Sequence, residues 1–297
     1  MKYQLKKGII AFFIIAITAY VSVVFAYEKK VISVGSAQSD SDATHSYYLG
    51  VIKLALSKIN NKNGYKVTVN STILTQGRSI LELERKNGLV NIYQTGTNKL
   101  REQKLIPIRV PLLKGTLGYR IPVIHKDNVK VFDNIKSIED LSTLVACQGE
   151  HWPDSDILEE NNLKVLRNAN FHSMYLQVQR KYCDYFLRAI IEAYPEIAAH
   201  KRELNDLLIY DKLLIMYPFP MYFFVSPHSP QLALDIEKGL RIAIEDGSFD
   251  DYFRNNEKTK HLFPLQKWKN AVKIKLSNKL LPEKTPVSVS KLWITLD

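Results

Sequence analysis

Only two cysteines, Cys147 and Cys183, occur in the 297 residues, and none directly follows the apolar N-terminal run, which excludes a lipidated cysteine there. The sequence has no G-x-S-x-G, no G-x-x-x-x-G-K-[ST] and no G-x-G-x-x-G. It therefore carries no signature of a serine hydrolase, a P-loop enzyme or a dinucleotide-binding enzyme. Seven histidines are present, but no two stand at a metal-ligand spacing, and neither a metal nor a cofactor is expected. Helix-turn-helix, zinc-finger and RNP patterns are also missing. The formal net charge of +11 is spread along the chain, so it reads as a solvated basic surface and no nucleic-acid partner is expected. No internal repeat or low-complexity stretch is found.

What is present is globular composition: 46% apolar and 24% charged residues, enough for one large or two medium domains. Residues 1–26 begin with Lys2, Lys6 and Lys7, continue as an apolar run from Gly8 to Ala19, and exit through Val24-Phe25-Ala26. That is the layout of a cleaved secretory signal peptide and implies a periplasmic protein. An uncleaved inner-membrane anchor is the competitor, because Gly8 to Ala26 carries no charge and is just long enough to span. In an oxidising compartment the two cysteines, both in strand-like runs, are open to pairing, although two buried thiols are the more ordinary outcome.

Hydrophobic periodicity gives a strand at Val31 to Val34 and a helix after Thr44 through Tyr48, Val51, Ile52, Ala55, Leu56 and Ile59. A strand at Tyr65 to Val69, a helix at Arg78 to Lys86 and a strand at Leu89 to Tyr93 follow. This alternation predicts a mainly parallel sheet with covering helices. Ligands of such sheets lie beyond the carboxyl ends of the strands. The first-lobe candidates are accordingly Ser36, Tyr47, Tyr48, Thr95, Thr97 and Arg101. A second series begins after Gly115 and Gly118, with strands at Leu144 to Cys147, Lys164 to Leu166 and Cys183 to Leu187. Its polar turns offer Gln148, Trp152 and Arg188. Asp154 reads as the cap of a helix, and residues 207–220 as a returning crossover.

Arg101, at a strand-to-helix turn, has the planar fork that suits a carboxylate; its alternative is a surface pair with Glu102. Arg109 is a second candidate, turned to the opposite face by its place between Ile108 and Val110. Trp152 precedes a helix N-terminus and supplies an apolar or cation-binding wall, or else only staples the helix start. Arg188 is either a ligand contact or the salt-bridge partner of Asp184 or Glu192.

The order of elements over residues 89–125 resembles the crossover of type 2 periplasmic solute-binding proteins, the polar amino acid-binding family of ABC transporters. The resemblance rests on Thr97-Asn98-Lys99-Leu100-Arg101-Glu102, on Tyr222-Phe223-Phe224-Val225-Ser226, on Ile236-Glu237-Lys238-Gly239-Leu240 and on Asp246-Gly247-Ser248-Phe249, and it covers residues 30 to 256. It implies that Arg101 holds a ligand carboxylate, that Thr95 lies near the hydroxyl donor, and that Arg188 is a polar contact. Two departures follow. Ile106-Pro107-Ile108-Arg109-Val110-Pro111 replaces the family's aromatic platform. Ala189 stands where the family has an acid for an amino group, which implies either a ligand more anionic than an ordinary amino acid or that role passing to Asp184, Glu150 or Glu192.

The expectation is an α/β protein of type 2 periplasmic-binding-protein fold, with two lobes, each a mainly parallel sheet flanked by helices, joined by a two-strand hinge. Its divisions are residues 1–26, the signal; 27–115 and 221–256, the first lobe; 116–220, the second lobe; and 257–297, a tail packed on the body. The expected function is that of a monomeric, non-enzymatic binding protein that closes on a small polar or anionic solute and works with a membrane permease. A sensory module, or less readily an enzyme of the same fold, is the alternative.

Overall fold

The computed structural model describes residues 30–37, 44–59 and 64–296; residues 1–26, read above as a signal peptide, lie outside them. No helix among the described residues is long and apolar enough to cross a membrane.

The chain begins with β1 (Val31–Val34), α1 (His45–Lys58), β2 (Lys66–Val69), α2 (Gln76–Glu84), β3 (Ile92–Gly96), α3 (Lys99–Lys104) and β4 (Ile106–Ile108). β1 and β2 pair in parallel. Asn91 stitches β1 to β3: its backbone N–H donates to Ser33 O, while its side chain accepts from Ser33 N and donates to Val31 O. Tyr47, Val51, Ile52 and Ala55 recur on one face of α1 and are buried together, as the helical period requires.

A second lobe follows. Its elements are β5 (Tyr119–His125), α4 (Val129–Asp133), α5 (Ile138–Ser142), β6 (Val145–Gly149), α6 (Pro153–Glu160), β7 (Lys164–Asn168), α7 (Phe171–Gln179), β8 (Tyr185–Ala189), α8 (Ala193–Ala199), β9 (Leu207–Ile209) and β10 (Leu213–Met216). The chain then returns as β11 (Met221–Val225), α9 (Pro230–Glu245) and α10 (Ser248–Asn255), and ends with β12 (Val272–Lys275). β11 lies between β3 and β4, antiparallel to both, in a three-stranded sheet beside the β1–β2 pair. In the second lobe the order is β12-β10-β5-β8-β6-β7, with β9 beside the far end of β5. β6 runs parallel to β7 and β8, whereas the crossing strand β5 is antiparallel to its neighbours. The two-lobed α/β architecture is thus observed, with the antiparallel pairs made by strands that enter or leave a lobe.

Four local expectations shift. The strand expected at Leu89 to Tyr93 lies at Ile92–Gly96, because Thr95 and Gly96 are buried and pair with Tyr222 and Met221 rather than turning into solvent. The strand expected at Cys183 to Leu187 is displaced to Tyr185–Ala189, which puts Arg188 inside it. Residues 207–216 are sheet, not crossover, since β9 and β10 share the edge of β5. The cysteines are joined: a disulfide links Cys147 on β6 to Cys183 just before β8, with Cα atoms 5.7 Å apart. Both are buried in a second apolar cluster with Met174, Tyr175 and Phe186.

The two chain crossings touch. A Cβ on Gly118 would fall 2.0 Å from Tyr217 O, so only glycine lets the outgoing and returning segments lie this close. Gly115 has φ +80°, a left-handed turn, and carries the ring of Trp293 against it. The tail is therefore built into the structure. β12 extends the second lobe's sheet, Asn161 bonds Ser277, Pro218 O accepts from Asn278, and Lys99 N donates to Leu280 O. Ile294 N donates to Lys114 O, and its own carbonyl accepts from Tyr119 Oη. The strap so formed touches both lobes.

Candidate functional site

α3 begins at Asn98, whose side chain accepts from Arg101 N at 2.8 Å. This cap and the preceding β3 aim Arg101 into the gap between the lobes. Its Nη1 donates to Thr95 Oγ1 at 2.8 Å and to Gly96 O at 2.6 Å. Nη2 donates to Gln76 Oε1 at 2.7 Å and, across the gap, to His151 O at 3.3 Å. Every one of these acceptors is neutral. Among the described residues no carboxylate forms an ion pair with Arg101, although its side chain is buried. Burial lowers its pKa to about 10, against weaker upward pulls from Tyr93, Asp154 and Asp156. It remains charged at neutral pH, with no carboxylate in contact with it among the described residues. Glu102, the expected surface partner, pairs instead with Arg109 and accepts from Thr97 Oγ1.

The opposite wall is built differently. Arg188, inside β8, engages Glu196 through Nε and Nη2, both at 2.8 Å, and Glu192 at 2.9 Å. Its guanidinium carbon lies 5.1 Å from the ring centres of Trp152 and Phe186 and 5.2 Å from that of Phe171. Three aromatic rings and two carboxylates thus clamp one cation, which suits a planar delocalised charge. The carboxylates and Tyr175 raise the Arg188 pKa despite burial. Arg120, on β5, pairs with Asp154 at 2.5 Å and stands 3.7 Å from Glu192, beside the rings of Tyr217 and Phe219. Asp154 does not cap α6; it is buried and accepts from Tyr217 Oη. The N-cap is Trp152, with Pro153 at the first helical position, where its missing N–H costs nothing. Burial raises the Glu192 pKa, with Glu196 adding to the effect and Arg188 and Arg120 opposing it.

Between these walls lies a cavity of about 120 Å³, below the roughly 300–1,000 Å³ of sites for drug-sized ligands. Tyr48, Gln76, Tyr93 and Arg101 border it from the first lobe. Arg120, Trp152, Asp154, Phe171, Arg188 and Glu192 border it from the second, and Phe219 comes from the returning crossover.

Of the residues expected from the sequence, the structure brings together Arg101, Arg188, Trp152 and Tyr48 at the cavity, with Thr95 directly behind Arg101. Five lie elsewhere, and two of them, Thr97 and Arg109, both bond Glu102. Tyr47 is one residue, about 100° of helix, from Tyr48; it points into the core and donates to Leu112 O. Ser36 donates to Thr72 O and Gln148 is buried within β6, neither of them bordering the cavity. Asp184 accepts from Val145 N and Glu150 is exposed, so of the three acids considered for an amino group only Glu192 is at the site. Arg120, Asp154 and Glu196 were not anticipated as site residues. The one available signal was a charged residue, Arg120, inside the otherwise apolar run of β5.

No known family's sequence pattern matches the chain, and no curated protein matches it by sequence. Solved structures do match by shape. An ancestral arginine-binding protein bound to arginine superposes with a TM-score of 0.56 at 16% identity, over 77% of this chain and 98% of that one. A chain from the study of glutathione import in Gram-positive bacteria via GshT and the cystine ABC importer TcyBC of Streptococcus mutans gives 0.55 at 15% identity, over 76% and 94%. A histidine kinase sensor domain with similarity to periplasmic binding proteins gives 0.55 at 13%, also over 76% and 94%. Two lobes facing across a cavity, two touching crossovers and these likenesses together show that the chain has the fold of the type 2 periplasmic binding proteins.

Proposed function

We propose that the protein is a periplasmic solute-binding protein that closes on a small amphoteric solute of amino-acid type. The observation that supports this most is the buried guanidinium of Arg101, which no carboxylate contacts among the described residues, facing a wall that holds Glu192 and Asp154. A ligand carboxylate supplies the missing negative charge and, taking the place of the longest of the present acceptors, His151 O at 3.3 Å, forms charge-assisted bonds with the guanidinium. A ligand ammonium beside Glu192 stabilises a carboxylate that burial otherwise disfavours. Trp152, Phe171 and Tyr93 offer apolar surface to the remainder of the solute. Because the two walls belong to different lobes, ligand contacts favour the closed arrangement by their differential affinity.

In this reading the monomer hands its solute to a membrane permease. Sensing is the second reading, favoured by the sensor domain that shares this fold; there the closed form is read by a signalling partner.

A thermal-shift screen of amino acids, simple carboxylates and phosphorylated metabolites tests the binding function. At least one α-amino acid is expected to raise the melting temperature, and Arg101→Ala is expected to weaken its binding by about 2–5 kcal/mol. No stabilisation by any compound would refute the solute-binding reading, and tight binding by Arg101→Ala would refute the site.

A further inference from the structure

His172 stands near the start of α7, His200 caps the end of α8, and Glu203 lies in the loop leading to β9. His200 and Glu203 are three residues apart and His172 stands well before them in the chain, yet all three converge at the surface of the second lobe. His172 Nε2 is 2.9 Å from Glu203 Oε1, His200 Nδ1 is 3.8 Å from Glu203 Oε2, and the two imidazole rings are 5.0 Å apart. One ligand atom from each of the three lies within 4.8 Å of both others. We propose that this cluster is a binding site for a divalent transition cation of the zinc type.

Metal bonds of about 2.0–2.1 Å in tetrahedral array put neighbouring ligand atoms roughly 3.3 Å apart. The separations of 2.9 and 3.8 Å straddle that value, so small side-chain rotations bring all three onto one ion. Two imidazoles and one carboxylate suit zinc, nickel or copper and not calcium or magnesium, which take oxygen ligands. The half-buried imidazoles and exposed carboxylate leave a coordination position open to water. Gln179, at the far end of α7, donates to Glu203 O and already holds the loop in place.

The location gives the ion a structural consequence. α7 carries Phe171 to the cavity and Tyr175 to Glu196, and α8 carries Glu196 itself, four residues before His200. A bound cation ties the start of α7 to the end of α8, the two helices that carry Phe171 and Glu196. The site stands on its own geometry, so its failure would leave the solute-binding reading intact.

Tag-free, metal-stripped protein titrated with zinc chloride, followed by calorimetry and by thermal unfolding, tests the proposal. One equivalent of zinc is expected to bind and to raise the melting temperature. His172→Ala and His200→Ala should each weaken uptake by about tenfold or more, whereas His228→Ala, which alters a histidine far from the cluster, should leave it unchanged. Melting each variant without zinc separates lost ligation from lost folding, and Glu203→Gln provides a third variant should either alanine change unfold the chain. The absence of saturable zinc uptake, uptake indifferent to substitution in the cluster, or displacement of zinc by equimolar calcium would overturn the assignment.

Discussion

Arg101 and Arg188 are equally buried yet differ in what surrounds their charge. Arg188 is enclosed by Glu192, Glu196 and aromatic faces, whereas Arg101 meets only neutral oxygens. The contrast separates a structural cation from a receptive one, and Glu192 makes the difference measurable. Burial holds its carboxyl above the ordinary 4.5, so the folded chain takes up this proton more readily than the unfolded chain. The resulting stabilisation is complete below pH 4.5 and lost as pH rises through the raised folded value. Glu192→Gln removes it, so the stability of wild type relative to the variant should increase as pH falls from 7 toward 4.5. Urea unfolding at several pH values checks the sign, and a constant difference would contradict it. Arg101 was legible in the sequence because its place in a strand-to-helix turn is a local feature. Arg120 and Asp154 were not, because a charge in an apolar strand and an acid near a helix start declare a partner only once β5 and α6 are set side by side. Glu196 was hidden by Pro195, which interrupts the helical pattern although proline is tolerated in a first turn.

Among elements, the strands and helices of strong period were legible, and the errors fall where tertiary burial overrides a polar turn signal. Gln94-Thr95-Gly96 looks like a loop by composition but becomes strand because β11 covers it. β12 drew no strand assignment, since half of Val-Lys-Ile-Lys is lysine and only its place beside β10 defines it. The Cys147–Cys183 bridge ties β6 to the approach to β8, the two strands that support Trp152 and Arg188. Closing a loop of 36 residues restrains the unfolded chain by about 2–4 kcal/mol. The double variant Cys147→Ser/Cys183→Ser should lose that much unfolding free energy, and an unchanged denaturation midpoint would show that the bridge contributes nothing.

Over the whole molecule, the sequence foretold two lobes and a hinge but not the role of the last forty residues, whose contacts depend on surfaces from both lobes. Deleting residues 277–297 removes the bonds to Lys99, Lys114, Tyr119 and Pro218 while leaving β12 in place. The ligand-free shortened chain should remain folded and show a larger radius of gyration by small-angle scattering, because the lobes then keep only the two crossovers and the passage out to β12. An identical radius would mean that the strap does not restrain opening. The backbone passes from lobe to lobe at residues 109–118 and 217–220, then out to β12 and back along the strap. Fastenings at several separate points along one border permit a rocking motion and resist a swivelling one. A solute must therefore enter through the single mouth opposite that border, and any protein that recognises occupancy has one angle to measure.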